Sequence, residues 1–269
     1  MVFIPNYTGF VEGQSAKHVT NVSNLALSED MKNVDLQNKT VQYFEDAQGY
    51  LVYPVSSNDS QGKLPAVVMI HEWWGVNQNI KDMANLLAKQ GFVVLAADLY
   101  HGSVADNPQR ATELVQMARN NQNNSIANLQ EAVKYLSLAS NVDSTKITSL
   151  GWCFGGGQSL QLALNSQEHP LAATILYYGT PLVTDKQSLS KIKWPVLGIF
   201  GDKDEAIPLA EVNQFGTSLN QSGITNEIHI YNGVGHAFAN PSGDNYAPKE
   251  TADAWQKTLS FLKKYVIET

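Results

Sequence analysis

The chain has 269 residues, of which 43% are apolar, and its 18 basic and 25 acidic side chains give a net charge of −7. This length fits one large domain with its own core, and the acidic balance argues against nucleic-acid binding through a basic surface. The single cysteine, Cys153, excludes an internal disulfide and any metal site that needs several cysteines.

The N-terminal forty residues are polar and weakly patterned, and we expect residues 1–40 to be an extension of the domain. The first sixteen residues contain no lysine or arginine, so no signal peptide is predicted. No apolar run reaches the roughly 18–20 residues that a membrane crossing requires. These features predict a soluble, cytoplasmic protein without a membrane partner, or an extracytoplasmic one if a leader has been removed.

From residue 41 onward, short apolar runs alternate with helical patterns. The apolar runs at 41–44 and 50–53 flank a polar turn and predict a hairpin. Later runs have no polar alternation, as expected for strands that are covered on both faces. These strands are predicted at 66–70, 92–97, 147–150, 173–178 and 196–200, with a more alternating strand at 226–231.

Between the predicted strands, apolar residues recur at helical spacing. Helices are predicted at 80–90, 125–139, 158–164 and 208–221, with a closing helix around 254–266. Strands that alternate with helices indicate a single α/β domain over residues 41–269. We expect a sandwich in which helices cover both faces of a mostly parallel central sheet.

Cys153 lies in the segment Gly-Trp-Cys-Phe-Gly-Gly-Gly, directly after one predicted strand and before a helix. This is the glycine-x-nucleophile-x-glycine elbow with cysteine in the place of serine. The sharp turn strains the backbone of the nucleophile, and side chains two residues to either side would collide. The helix that follows presents its N-terminal amides to a thiolate and to a developing oxyanion. The pattern therefore favours a catalytic cysteine over a buried structural one.

A nucleophile on such an elbow needs an acid and then a histidine, in that order along the chain. His236 lies in a glycine-rich turn just past the last strand, where the base is expected. His229 lies within that strand and is expected to face solvent. The acid should follow the strand at 196–200, where Asp202 and Asp204 both qualify, and spacing does not choose between them.

Glu72 follows the strand at 66–70, so its carboxylate is expected at the same edge of the sheet as the elbow. The same loop is the usual source of a second oxyanion-hole amide in folds with this elbow. Asp98 ends the strand at 92–97 and precedes the nucleophile, so we expect it to brace its own loop.

Six blocks occur in a specific order, and together they resemble the dienelactone hydrolase family of α/β-hydrolases over residues from about 41 to the C-terminus. The blocks are HEWWGVN (71–77), DLY (98–100), GWCFGG (151–156), YYG (177–179), GDKD (201–204) and GHAF (235–238). The resemblance implies an α/β-hydrolase fold and a catalytic triad of Cys153, His236 and Asp204. It also implies that Glu72 contacts the resting thiol and gives way when substrate binds.

The same resemblance implies an oxyanion hole made by the backbone amides of Trp73 and Phe154. Trp74, Tyr178 and Asn240 are the residues that we expect to contact the substrate. With Trp73 and Trp74 near the mouth of the pocket, the acyl group is expected to be neutral and partly apolar. No metal ion or organic cofactor is implied.

The sequence departs from the family at two substrate-binding positions. Members that act on the anionic dienelactone carry an arginine two residues after the Asp-Leu-Tyr block and another four residues after the catalytic histidine. Those positions hold Gly102 and Asn240 here. The only arginines, Arg110 and Arg119, are on a predicted helix beyond the first of these loops. Dienelactone itself is therefore not the expected substrate.

The leading hypothesis is a cysteine-dependent hydrolase of small carboxylic esters or lactones that works through a thioester acyl-enzyme. In a second hypothesis the same site acts on another electrophile, such as a phosphotriester. A third is a binding protein that kept the fold but lost turnover. A fourth, in which Cys153 is a redox sensor, is weakened by the lack of a resolving cysteine.

Overall fold

The computed structural model describes residues 33–55 and 62–268, and its centre is one sheet of eight strands. Each strand predicted from the sequence is found. In chain order the strands are β1 (Leu36–Phe44), β2 (Ala47–Pro54), β3 (Leu64–Ile70), β4 (Val93–Ala97), β5 (Val142–Trp152), β6 (Ala173–Tyr177), β7 (Val196–Gly201) and β8 (Asn226–Tyr231).

The strands lie side by side in the order β1-β2-β4-β3-β5-β6-β7-β8. β1 and β2 form the predicted antiparallel hairpin, and β2 is also antiparallel to β4. From β4 to β8 all neighbours are parallel. The carboxyl ends of these six strands therefore meet at one edge of the sheet, where loops from several strands can bring side chains together.

Helices cover both faces of the central strands. Every residue of β4 is at most 1% exposed, although successive side chains point to opposite faces of the sheet. The helices are α1 (Gln78–Ala88), α2 (Pro108–Asn120), α3 (Gln122–Ser137), α4 (Phe154–Leu164), α5 (Lys186–Leu189), α6 (Leu209–Gln221) and α7 (Pro248–Leu262), which continues as a π-helical turn (Lys263–Ile267). The predicted mostly parallel α/β sandwich is confirmed.

None of the helices in the described part of the chain combines the length and the hydropathy that a membrane crossing needs. The sheet begins earlier than predicted, because β1 starts at Leu36 and pairs there with Pro54, so the expected domain start at residue 41 falls inside a strand. The rest of the predicted extension, residues 1–32, lies outside the described residues.

The loop after β4 is held by the carboxylate of Asp98, which is 2% exposed. Its Oδ1 accepts a hydrogen bond from the Tyr100 amide at 2.9 Å, and its Oδ2 accepts from the amides of Gln48 at 2.9 Å and Gly102 at 2.5 Å. The predicted bracing role of Asp98 is confirmed, because all three of these hydrogen bonds come from backbone amides outside the elbow.

Candidate active site

Cys153 is the turn residue between β5 and α4, with φ 54° and ψ −118°. A positive φ is rare for a residue with a side chain and marks local backbone strain. The strained turn is held by three backbone hydrogen bonds. The Cys153 amide donates to the Tyr177 carbonyl at 3.0 Å, and the Cys153 carbonyl accepts from the amides of Gly157 at 3.1 Å and Thr180 at 3.3 Å. The predicted elbow is therefore present, with its thiol at the carboxyl edge of the sheet.

The glycines of the elbow are required by close backbone contacts. A Cβ on Gly151 would lie 2.2 Å from the carbonyl oxygen of Gly155, and a Cβ on Gly155 would lie 2.4 Å from the carbonyl oxygens of Ile70 and His71. These distances are far below van der Waals contact. The expected reason for glycine on both sides of the nucleophile is therefore confirmed.

Three side chains form a continuous chain of hydrogen bonds at this edge. The Cys153 Sγ is 3.1 Å from Nε2 of His236, and Nδ1 of His236 is 2.8 Å from Oδ2 of Asp204. The other carboxylate oxygen of Asp204 accepts from the amides of Ala206 at 2.9 Å and Ile207 at 3.1 Å. Asp204 is thus fixed from both sides, and it holds the imidazole with Nε2 towards the thiol.

The structure separates the two aspartates that spacing alone left open. Oδ1 of Asp202 accepts a hydrogen bond from the Gly233 amide at 2.6 Å, so Asp202 braces the turn that leads to His236. Asp204, with a side chain only 1% exposed, contacts the imidazole itself. The geometry agrees with the aspartate that the family resemblance implied.

The charge state of His236 is governed by its two partners. Burial lowers the pKa of the imidazole, but the negative charge of Cys153 and the hydrogen bond to Asp204 together outweigh burial and raise this pKa well above its usual range. The protonated imidazole is therefore favoured beside Cys153, and a neighbouring cation is what a nucleophilic cysteine needs.

Glu72 lies in the same site, and among the described residues no hydrogen bond joins its carboxylate to the thiol. Its carboxylate is 4% exposed, with Oε1 3.4 Å from the Tyr178 hydroxyl and Oε2 hydrogen-bonded to Nδ2 of Asn240. The Cys153 Sγ is hydrogen-bonded to His236 instead, and the resting contact implied for Glu72 and the thiol stays a prediction. The thiol is directed towards the imidazole of His236.

The surroundings of Glu72 favour its neutral form. Burial raises the pKa of this carboxyl to about 7, although the positive charge of His236 and the hydrogen bonds from Tyr178 and Asn240 act in the opposite direction. An arginine at position 240 would add a positive charge beside the carboxylate. Asn240 supplies only an amide dipole, so Glu72 can hold a proton near neutral pH.

The raised pKa of Glu72 predicts a pH-dependent effect of Glu72→Gln on folding stability. The native carboxyl binds its proton more tightly than the unfolded carboxyl does. The free energy of unfolding of the wild-type protein therefore falls as pH rises from the unfolded pKa towards about 7. The free energy of unfolding of the variant, relative to that of wild type, is therefore expected to increase from pH 5 to pH 8 by at most about 3 kcal/mol. Urea unfolding at the two pH values measures this gain.

Glu131→Gln is the matched control for that measurement, because Glu131 is a surface carboxylate paired with Lys134 at 3.1 Å. We expect its small effect on stability to be similar at both pH values. A Glu72→Gln variant whose stability relative to wild type does not change between pH 5 and pH 8 would contradict the raised pKa.

His71 holds the loop that carries Glu72 and Trp73, a role that sequence reasoning missed. It is fully buried, its Nε2 accepts from the Leu99 amide at 3.2 Å, and its Nδ1 donates to the Glu72 carbonyl at 2.5 Å. Burial lowers the pKa of His71, so the ring stays neutral. The signal in the sequence is a histidine that ends a buried strand beside the candidate acid.

The backbone amides of Trp73 and Phe154, which are expected to form the oxyanion hole, have no hydrogen-bond acceptor in the described part of the chain. Phe154 is the first residue of α4, whose opening amides have no intrahelical partner, and Trp73 lies in the turn after β3. The close approach of Gly155 to the carbonyls of Ile70 and His71 brings these two segments together. The start of α4 and the turn that contains Trp73 are thus neighbours, as the predicted oxyanion hole requires.

The residues expected to contact substrate have different environments. Trp73 and Trp74 are half-buried and pack edge to face, with ring centroids 4.8 Å apart, as suits the wall of an opening. Tyr178 is fully buried below the imidazole of His236, with centroids 5.2 Å apart. Oδ1 of Asn240 accepts from the amide of Ser242 at 2.9 Å, so Asn240 also organises its own loop.

Two other histidines lie away from this cluster. His101 hydrogen-bonds to the side chain of Asp46. His229, which we expected to face solvent, is half-buried, with Nε2 3.7 Å from Oε2 of Glu227.

Comparison with known proteins identifies the family of this chain. A model of the dienelactone hydrolase family matches residues 48–266. The chain belongs to the dienelactone hydrolase family. Protein usf of Aquifex pyrophilus is 33% identical over 207 residues, which cover 75% of this chain and 89% of that protein. The resemblance seen in the sequence is thereby confirmed.

Two further comparisons give a relative named as a lactonase and a solved structure with the same fold. A Bradyrhizobium protein named "Probable 2-oxo-3-(5-oxofuran-2-ylidene)propanoate lactonase" is 30% identical over 230 residues, with 81% of this chain and 90% of that protein covered. The crystal structure of a dienelactone hydrolase-like promiscuous phosphotriesterase from metagenomic libraries superposes with a TM-score of 0.76 at 22% identity, covering 86% of this chain and 98% of that one. The second similarity establishes the shared α/β-hydrolase fold.

Proposed function

We propose that this member of the dienelactone hydrolase family hydrolyses small carboxylic esters or lactones through a thioester formed on Cys153. The observation that carries the proposal is the hydrogen-bonded chain from the Cys153 Sγ through the His236 ring to Asp204. Cysteine, histidine and aspartate in that contact order form a nucleophile, its base and the group that orients the base. The lactonase name of the Bradyrhizobium relative supports the ester or lactone class.

In the proposed first half-reaction, the Cys153 thiolate attacks the carbonyl carbon while His236 holds the thiol proton. The negative oxygen of the tetrahedral intermediate accepts hydrogen bonds from the amides of Trp73 and Phe154. The intermediate then collapses, the C–O bond breaks, and His236 gives its proton to the departing alkoxide. The acyl group is left on sulfur as a thioester.

The second half-reaction uses the same groups with water as the nucleophile. His236 removes a proton from the water, which attacks the thioester carbonyl, and the Trp73 and Phe154 amides again bind the negative oxygen. When the C–S bond breaks, the carboxylic acid leaves and the sulfur departs as a thiolate beside the imidazolium. Asp204 keeps the same ring orientation throughout, because it is held by two amides of its own loop.

The acyl-enzyme is the species that tests this proposal. Mixing the protein with p-nitrophenyl butyrate and quenching in acid is expected to give a mass increase of one butyryl group, which maps to the peptide that contains Cys153. Because the chain has one cysteine, hydroxylamine release at neutral pH identifies the adduct as a thioester. Turnover of the ester with no adduct on Cys153 at any quench time contradicts the mechanism.

A second candidate keeps the thiolate and changes the electrophile to a phosphotriester. It is suggested by the phosphotriesterase whose fold this chain shares. Diethyl p-nitrophenyl phosphate in the same assay separates the two functions, because it would leave a diethylphosphoryl group on sulfur instead of an acyl group. If neither compound is turned over or labels Cys153, the protein has the fold without this chemistry.

A further inference from the structure

The two edge strands of the sheet, β1 and β8, differ in how they are protected from other chains. β1 has the exposed Lys39 and a register shift between Gln42 and Phe44 in its pairing with β2. A lysine and a bulge are devices that keep an edge strand from pairing with another molecule. β8 has neither lysine nor proline, and its pairing with β7 is regular throughout. In the described part of the chain, the other side of β8 has no neighbouring strand.

The outer side of β8 presents the backbone groups of alternate residues. The carbonyl of Thr225, just before the strand, accepts from the β7 side, where the Val196 amide donates at 3.0 Å. Alternate residues of a strand direct their backbone groups to the same neighbour. The N–H and C=O groups of Asn226, Ile228 and Ile230 therefore point away from β7. A strand added at this edge would form its hydrogen bonds with these groups.

One face of β8 is apolar next to this edge. Ile230 is 39% exposed, and Ile228 is half-buried against α6, where a Cβ on Gly216 would lie 3.5 Å from its Cγ1. Together with Val212 of α6, the two isoleucines line an open groove of about 370 Å³. A single exposed apolar side chain is common on protein surfaces. Here it adjoins an unpaired strand edge and a groove, and this combination favours a partner strand.

The opposite face of β8 is polar and has an ordered pair of groups. Nε2 of His229 is 3.7 Å from Oε2 of Glu227, and Oε1 of Glu227 is 3.3 Å from Nζ of Lys264. A carboxylate, which accepts hydrogen bonds, is thus followed two residues later by an imidazole, which can donate one. A strand that runs in the opposite direction presents the same two groups in reverse order. The chemistry of this face therefore matches a second copy of the same strand.

We propose that the outer edge of β8 binds β8 of a second copy of this chain, in an antiparallel pair whose two-fold axis passes through Ile228. In this register Ile228 faces its own copy, and Asn226 faces the partner's Ile230. The outward backbone groups then meet in three pairs that exchange about six hydrogen bonds. The exposed Ile230 packs diagonally against the partner's Ile228, so the isoleucines of both strands form one apolar row.

The polar face selects this register over its neighbours. With the axis at Ile228, Glu227 faces the partner's His229 in the closer, non-hydrogen-bonded pairs, so that an acceptor lies opposite a donor. A shift of the axis to Glu227 would place two carboxylates opposite each other, and a shift to His229 would place two imidazoles there. The dimer is independent of the proposed hydrolase chemistry, because no residue of β8 belongs to the candidate active site.

Sedimentation velocity of the full chain tests the dimer. Between about 5 μM and about 200 μM, the wild-type protein is expected to show a dimer whose fraction rises with concentration. Ile230→Lys is expected to raise the dissociation constant at least about thirtyfold, because it places a charge in the apolar row. Met117→Lys is the matched control, since Met117 is 62% exposed on α2, and it is expected to keep the wild-type dissociation constant. Tm shows that both variants are folded.

An exchange of Glu227 and His229 tests the register. His229→Glu places two carboxylates opposite each other across the pair, and Glu227→His places two imidazoles there. Each substitution is expected to raise the dissociation constant of the dimer about five- to tenfold. The double variant, Glu227→His with His229→Glu, restores unlike groups in both pairs. Its dissociation constant is expected to return to within about threefold of the wild-type value.

Hydrogen exchange resolved to single amides tests the pair in the wild-type protein, without a substitution. The amides of Ile228 and Ile230 are expected to exchange slowly at high protein concentration and at least about tenfold faster after dilution. The amide of His229 points to β7, and its exchange is expected to be much less sensitive to concentration.

The proposal is overturned if the wild-type protein stays a monomer over the whole concentration range, or if Ile230→Lys and Met117→Lys change the dissociation constant equally. Slow exchange of the Ile228 and Ile230 amides at every concentration, in a monomer, also overturns it, because the edge is then covered from within the chain. A double variant that binds no more tightly than the two single variants overturns the axis at Ile228.

Discussion

Replacing Cys153 with alanine is expected to lower kcat/KM for p-nitrophenyl butyrate by at least about a thousandfold, the scale of loss when a covalent nucleophile is removed. The Sγ of Cys153 is the atom that lies 3.1 Å from Nε2 of His236, and alanine leaves no nucleophile in its place. Release of p-nitrophenolate measures the rate, and circular dichroism checks that the fold is retained. The turn is held by backbone hydrogen bonds that do not involve the thiol, so we expect little change in structure.

Alkylation provides an independent test of the same residue. The chain has no other cysteine, so one equivalent of iodoacetamide on the wild-type protein is expected to abolish activity, and the alanine variant should gain no mass. An alanine variant that keeps most of the wild-type rate would show that Cys153 is not the nucleophile, whatever its contact with His236.

Replacing Asp204 with asparagine is expected to lower kcat by about a thousandfold or more, with a much smaller change in KM. Oδ2 of Asp204 accepts from Nδ1 of His236 at 2.8 Å, which leaves Nε2 free to receive the thiol proton. An asparagine can turn its NH2 group towards Nδ1 and stabilise the opposite tautomer, with the proton on Nε2. The measurement is the steady-state rate with p-nitrophenyl butyrate, supported by Tm to show that the variant is folded.

Asp202→Asn is the matched control, because Asp202 is in the same loop and is also an aspartate. Its Oδ1 accepts from the Gly233 amide at 2.6 Å, and an asparagine oxygen can accept the same bond. We expect the kcat of this variant to stay within about threefold of the wild-type value, because the turn keeps its hydrogen bond and Asp202 has no catalytic role. Equal losses in the two variants would mean that the loop, and not the contact with His236, determines the rate.

Much of the fold could be predicted because the central strands are buried on both faces. Runs such as β4 and β6 contain only buried residues, so their lack of polar alternation is a direct consequence of their position in the sheet. The start of β1 could not be predicted, because its residues are mostly polar and exposed and pair there only with β2. The start of β5 was missed because polar residues 143–146 separate buried Val142 from the apolar run that begins at Ile147. Hydrophobic pattern carries no signal for such residues.

In the candidate site, too, some features could be predicted from the sequence and others could not. The elbow around Cys153 was predictable because its glycines are required by close backbone contacts that any such turn makes. The choice between Asp202 and Asp204 depended on the direction of two carboxylates that are two residues apart, which spacing cannot supply. The partner of Glu72 was not predictable either, since it depends on Asn240 reaching across from a distant loop.

The contacts that build this site join distant parts of the chain, and this separation has a consequence for folding. Cys153 and His236 are 83 residues apart in sequence, and Glu72 and Asn240 are 168 residues apart. Each contact closes a long loop, and such contacts form late because their entropic cost is met only when the intervening sheet is in place. After dilution from denaturant, the rate of ester hydrolysis should therefore recover later than the circular dichroism signal of the helices. The recovered rate of hydrolysis then measures the fraction of molecules that are completely folded.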